Sequence, residues 1–243
     1  MLCHGLSATR RYVVHGSKHL PRRGYRLITY DARGHGQSDG ADTYDYEGLA
    51  ADLDLVIREK AGEGPSVLGG HSMGCHTVAS WALEHPEQVK ALILIGPVFS
   101  GEADEDARWD RRAEALANGG PDAFADVVAE NSPTEEIRKT TFRLARDRAG
   151  LHRDQEAVAQ ALREVPRSKP FGSLDQLAGL EVPVLVVGSH DEFDPGHPYE
   201  VARTWAETIP GAALKSEEPG ESPLAWQGGL LSREIESFLA GEG

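Results

Sequence analysis

Short runs of branched apolar residues alternate along this chain with longer stretches in which apolar positions recur every three or four residues. The runs are YRLITY (25–30), SVLGG (66–70), ALILIG (91–96) and VPVLVVG (182–188). Between them, YEGLAADLDLVIREKAG puts Leu49, Leu53 and Val56/Ile57 on one helical face, and MGCHTVASWALEHP reads as an apolar helix that stops before Pro86. Strands alternating with helices predict a parallel sheet with crossover helices. The strands are nearly continuous in apolar character, as expected of a sheet covered on both faces.

From about residue 100 to 180 the rhythm breaks. This stretch is charged and strandless, with a helical pattern over 104–117 and a capping signal at Ser132-Pro133-Thr134-Glu135, where Ser132 is placed to cap. The chain therefore divides into a core of 1–99 and 181–243 and a helical lid of 100–180. Open α/β sheets bind ligands at the carboxyl ends of their strands, and an insertion at that edge is placed to cover the site.

The 243 residues suffice for one full core. A net charge of -14 without a basic cluster argues against nucleic acid or an anionic membrane surface as partner. Two cysteines, Cys3 and Cys75, make no disulfide framework, and the absence of a long apolar run or leader pattern gives a cytoplasmic expectation.

Three motifs then carry chemistry. Gly70-His71-Ser72-Met73-Gly74 lies directly between a strand and a helix; His4-Gly5 follows the first short apolar run; and YDARGHGQSDG (30–40) follows the second. Together they resemble the α/β-hydrolase superfamily, in its small esterase, lactonase and metal-independent haloperoxidase-like branch. The resemblance implies an α/β fold of a mostly parallel sheet with helices on both faces and a helical lid. It makes Ser72 a nucleophile at a strand-to-helix elbow, with the backbone N–H groups of Leu6 and Met73 as the oxyanion hole. Serine at the elbow implies acyl transfer from a small, largely apolar ester or lactone, without metal or organic cofactor. Met73 and Phe193 would flank the pocket. His4 reads as a structural hydrogen-bonding residue, Asp31 and Arg33 as ties for their loop, and His71, Cys75 and His76 as core residues rather than metal ligands.

The resemblance makes Asp191 the acid of the triad, with Asp194 in reserve, in VPVLVVGSHDEFDP. The histidine that should follow the last strand is missing. The stretch reads EEPGESPLAWQGG, Glu221 stands in the expected place, and there is no histidine from Pro198 onward. Three readings stand: His197 takes the serine proton; Glu221 does so with a pKa raised by burial; or the site binds a small ligand and turns over poorly. A second departure is at the front, where only three residues precede His4 and the two strands the family has before it are not seen: either the start has been assigned too late, or the edge hairpin is lacking. About six parallel strands are then expected, with YRLITY at an edge where free backbone groups invite a homodimer.

Overall fold

The computed structural model describes residues 1–191, 194, 196–218 and 220–241. Among them five parallel strands form one sheet: β1 (Leu2–Cys3), β2 (Ser66–His71), β3 (Val89–Ile95), β4 (Val184–Val187) and β5 (Ala213–Lys215), side by side in that order. Side chains alternate across a strand, and both sets here are apolar. Leu92, Leu94, Val184 and Val186 pack with Leu53 and Ile57 of α2 (Tyr46–Lys60), Val78 and Ala82 of α3 (Met73–Glu84) and Trp205 of α7 (Tyr199–Thr208). Ile93, Ile95, Leu185 and Val187 pack on the other face with Leu231 and Ile235 of α8 (Gly228–Leu239) and Leu20 of α1 (His19–Arg22). This two-sided burial is what the near-continuous apolar strands predict.

Two expectations about the sheet need correction. YRLITY is not a strand: only Thr29 bridges, to Leu2. Its neighbour β1 is two residues long and offers no longer ladder. The sheet thus has five strands rather than six, and 25–30 does not present the strand edge on which the homodimer expectation rested.

Between β3 and β4 lie α4 (Arg108–Ala129), α5 (Glu135–Ala149) and α6 (Gln155–Glu164), with no strand among the described residues. α4 bends at Gly120, whose φ of 68° precedes Pro121. Thr134, not Ser132, caps α5, its hydroxyl accepting the Ile137 N–H at 3.2 Å. Thr134 is extended, and Pro133 ahead of it stays outside the helix. The insertion has its own core of Leu116, Phe124, Val158 and Leu162, against which Leu6 packs. A second cluster joins Ala157, Ala161 and Val165 to Tyr44, Tyr46 and Met73, fastening α6 to the sheet domain.

Buried imidazoles brace this frame. His76 Nε2 accepts the N–H groups of Val98 and Phe99 at 3.0 and 3.2 Å, so its Nδ1 carries the proton and donates to the Tyr46 hydroxyl at 2.8 Å. His4 Nε2 accepts the Ala32 N–H at 2.9 Å while Nδ1 donates to the Gly5 carbonyl at 2.8 Å. Asp31 accepts the N–H groups of Arg10 and Gln37, and Arg33 pairs with Asp52 through two bonds of 2.7 and 2.9 Å. All these residues tie loops together.

Two consequences are measurable. Leu94 is fully buried, and Leu94→Ala should lower unfolding free energy by about 2–5 kcal/mol in a urea titration. Burial pushes His4 down to about 4 and His76 to about 3, from 6.5. Both stay neutral when folded while the unfolded chain takes up protons below pH 6.5. Their stabilisation is complete above that pH and shrinks below it, by about 2 kcal/mol each at pH 5. The urea midpoint should fall between pH 7.5 and 5, and His76→Gln, less stable at pH 7.5, should lose less on acidification.

Candidate active site

β2 ends at His71 and α3 begins at Met73, leaving Ser72 alone to make the turn with φ 51° and ψ -117°. Few non-glycine residues adopt positive φ, and holding one there requires a rigid surround. The surround is backbone packed to its limit. A Cβ on Gly70 would fall 2.2 Å from the carbonyl carbon of Gly74, and one on Gly74 would fall 2.4 Å from the Cys3 carbonyl oxygen. Ser72 is fixed further by its N–H, which donates to the Ile95 carbonyl at 2.8 Å, and by its carbonyl, which accepts the Cys75 N–H at 2.9 Å. Its side chain is half-buried and makes no hydrogen bond with a described residue.

The segment after β1 passes against this turn. A Cβ on Gly5 would lie 3.3 Å from Ser72 Cβ. The next residue, Leu6, has an N–H with no acceptor among the described residues, and the Met73 N–H opens the first turn of α3, where no intrahelical acceptor exists. Both oxyanion candidates are therefore unspent donors in segments adjoining Ser72.

On the other side, the loop after β4 folds back on itself. The Asp194 N–H donates to the Asp191 carbonyl and the His197 N–H to the Asp194 carbonyl, each at 3.1 Å. His197 Nδ1 then meets Asp194 Oδ2 at 2.8 Å. An imidazole that donates from Nδ1 to a carboxylate keeps Nε2 as its acceptor. The His197 ring lies 5.0 Å from that of His71, and its Cδ2 is 3.2 Å from where a Cβ on Gly96 would stand. Gly96 directly follows Ile95, the partner of the Ser72 N–H, so His197 sits beside the residues that flank the elbow.

Burial and neighbouring charge act on both Asp194 and His71. For Asp194, burial alone would raise the pKa, but the hydrogen bond and charge of His197, helped by His71, hold it below the usual carboxylate value. For His71, burial and then the neighbouring His197 push the pKa well below 6.5, so it stays neutral. Its ring contacts Trp226 at 5.3 Å as well as His197.

The remaining candidates fall as follows. Asp194, the reserve acid, is the residue that pairs with His197. Asp191 is half-buried in the same loop, its N–H donating to Ser189 Oγ at 3.1 Å. Met73 is buried among Leu6, Ala157 and Ala161. Phe193 lies outside the described residues. Glu221 is exposed in a turn, which removes the burial that would have made it a base. Among the described residues no group of three His, Cys, Asp or Glu side chains could hold a metal ion.

Three neighbours of the site were not signalled as such: His71, read as a core residue although it lies within the elbow motif, together with Trp226 and Glu217. Buried Glu217 accepts the Ser189 hydroxyl at 2.8 Å and the N–H groups of His190 at 2.6 Å and Leu224 at 2.8 Å. It thereby joins the loops that follow β4 and β5. No period or spacing encodes such a crosslink, because its partners come from separate loops.

Residues 1–166 match the alpha/beta hydrolase fold family. A relative described as a putative carbamate hydrolase RutD, from Pseudomonas savastanoi pv. phaseolicola, is 27% identical over 240 residues, covering 95% of this chain and 91% of its own. Among solved structures, a thermophilic esterase from Thermogutta terrifontis superposes with a TM-score of 0.80 at 23% identity, covering 99% of this chain and 89% of its own. An enol-lactonase from Burkholderia xenovorans LB400 gives 0.75 at 22% identity, over 98% and 90%. At such identities the two structures speak to fold, and the sequence match supplies the family. No helix among the described residues is long and apolar enough to cross a membrane. With its parallel sheet, its elbow serine and a family match over more than half its length, the chain belongs to the alpha/beta hydrolase fold family.

Proposed function

We propose that the protein is a serine hydrolase acting by acyl transfer on a small ester or lactone, with Ser72 as nucleophile, His197 as general base and Asp194, in place of Asp191, as the acid that orients it. The observation that carries this is the Asp194–His197 pair beside the elbow. With Nδ1 donating to Asp194, the neutral imidazole presents Nε2 as its acceptor, next to the segment that holds Ser72.

In this reading Ser72 Oγ attacks the carbonyl carbon as its proton passes to His197 Nε2. The carbonyl π electrons move to oxygen, where the Leu6 and Met73 N–H groups donate to the oxyanion. Collapse expels the alcohol, protonated by His197, and leaves an acyl ester on Ser72. Water, deprotonated by the same nitrogen, attacks that ester and restores the serine. Asp194 stays ionised and stabilises the imidazolium at both steps. The helices between β3 and β4 serve as a lid, since α6 is packed onto Met73 and α4 and α5 lie with Leu6 in one cluster. Names among the relatives support the class: esterase and enol-lactonase act on carboxylic esters, and a carbamate hydrolase attacks the same kind of carbonyl.

The test is a rate comparison on one activated aryl ester, with circular dichroism confirming the fold of each variant. Ser72→Ala and His197→Ala should each lower kcat/KM by at least about a thousandfold, and the double variant should cost little more, because the two act as one unit. Asp194→Asn should lower it more than Asp191→Asn. Equal slow hydrolysis by wild type and Ser72→Ala would sink the catalytic reading and leave a ligand-binding protein on a hydrolase frame. A rise in rate for Glu221→His would mark that position as an abandoned base.

A further inference from the structure

Arginine usage singles out two positions. The chain carries 39 acidic side chains against 25 lysines and arginines, so carboxylates for pairing are plentiful. The partly buried arginines Arg33, Arg108, Arg138, Arg163 and Arg167 all have ion-pair partners. Arg112 of α4 and Arg148 of α5 are also partly buried, yet neither guanidinium makes a hydrogen bond or ion pair with a described residue.

Arg148 faces the candidate active site, and Arg112 stands on Trp109, which packs on the same helical cluster as Leu6. Arg148 lies over the Trp226 ring at 5.7 Å; Trp226 is 5.3 Å from His71, which directly precedes Ser72. Arg112 lies over Trp109 at 5.2 Å. The charge of Asp194 is felt at both guanidinium groups, while burial makes each a weaker hold on its proton than an arginine in water. Asp194 is already engaged by His197. Neither guanidinium is among the buried side-chain groups that lack a partner, so both keep contact with solvent, and their N–H donors, unclaimed by any described residue, are open to a ligand's acceptor.

We propose that these two arginines form an anion subsite between the lid helices and the elbow, so that the ester or lactone taken by this protein carries a carboxylate. The claim about the substrate rests on the hydrolase reading; the claim about the subsite does not. A planar carboxylate matches the donor fork of arginine and can be held by two parallel hydrogen bonds. The aromatic faces of Trp109 and Trp226 hold the guanidinium planes in place. With an anchored carboxylate at one end, the scissile carbonyl at the other is presented to Ser72 without further contacts along an apolar spacer.

The experiment compares 4-nitrophenyl esters of equal length, one with a free carboxylate (hydrogen glutarate) and one without (valerate), and measures glutarate binding to Ser72→Ala by calorimetry. Wild type should prefer the charged ester by about tenfold or more in kcat/KM, a charge-assisted contact being worth that much, and the preference should fall toward one in Arg148→Gln and in Arg112→Gln. Glutarate should bind Ser72→Ala at low salt and lose about tenfold in affinity when Arg148→Gln is added. If neither ester is hydrolysed but glutarate binding depends on the arginines, the subsite stands and the catalytic reading falls. An unchanged ester ratio in both arginine variants, with both rates lowered alike, would mean that the arginines act only on Asp194 and would overturn the proposal. So would glutarate binding that is indifferent to both substitutions.

Discussion

Everything near Ser72 depends on how closely backbone can approach backbone. β1 pairs with β2 over two residues, Leu2 with Gly69 and Cys3 with Gly70, a ladder too short to hold itself. Its place is secured instead by contact at van der Waals distance: Gly69, Gly70 and Gly74 have no side chain because Ile93, Leu2, the first turn of α3 and the Cys3 carbonyl occupy that space. The same packing that fixes β1 forces the turn at Ser72 into positive φ. Strand position, helix start and serine conformation are thus one constraint, and Gly5 and Leu6 reach the serine because β1 has been drawn in.

A set of neutral histidines carries this constraint outward. His35 Nε2 accepts the Ser7 N–H at 3.3 Å while its Nδ1 donates to the Arg33 carbonyl at 2.8 Å. His152, from the loop between α5 and α6, accepts the Gly36 N–H at Nδ1 and donates from Nε2 to the Ser7 carbonyl at 3.2 Å. Each ring acts once as acceptor and once as donor, which only the neutral form can do. Burial makes that form the stable one for His35 and His152, both of which lie below the usual imidazole pKa. Ser7, next to the oxyanion candidate Leu6, is therefore held from both directions, and one hold comes from the helical insertion. The segment that would receive developing charge is positioned by the insertion that would cover it.

What the sequence made legible follows the same division between local and distant causes. Strand and helix periods were readable because burial repeats every two or every 3.6 residues; Leu49, Leu53 and Ile57 are all buried as their spacing predicts. The elbow was readable because its glycines and serine form one short pattern between a strand and a helix, although the Cys3 carbonyl that leaves no room for a side chain at Gly74 comes from far away in the chain. YRLITY misled because its composition favours a strand but only Thr29 of it meets a partner, and pairing is not a property of one segment. At Ser132 the capping pattern was right in kind and displaced by two residues, since several hydroxyls near Pro133 satisfy it. Arg112, Arg148, Trp226 and Glu217 were invisible because each acquires its neighbours only when separate elements meet.

The proposed relocation of the base, from the loop after β5 to His197, is the instructive departure. Loops after β4 and β5 emerge at the same end of adjacent parallel strands, so a side chain from either can approach the end of β3, where Gly96 leaves room for an imidazole. Glu217 fills the beginning of the β5 loop with three accepted hydrogen bonds and ties it to Ser189 and His190. That arrangement braces the root of the β4 loop, which carries His197. The exchange has a mechanical cost. An acid and base on separate loops check each other's position, whereas Asp194 and His197 share one turn and move together. Orientation of the imidazole relative to the elbow then falls to what the turn rests against: the His71 ring on one side and the bare Cα of Gly96 on the other. His71, the variable residue of the glycine–serine motif, thereby becomes the surface that aligns the proposed base, and a flat neutral ring suits that position where a charged side chain would disturb it.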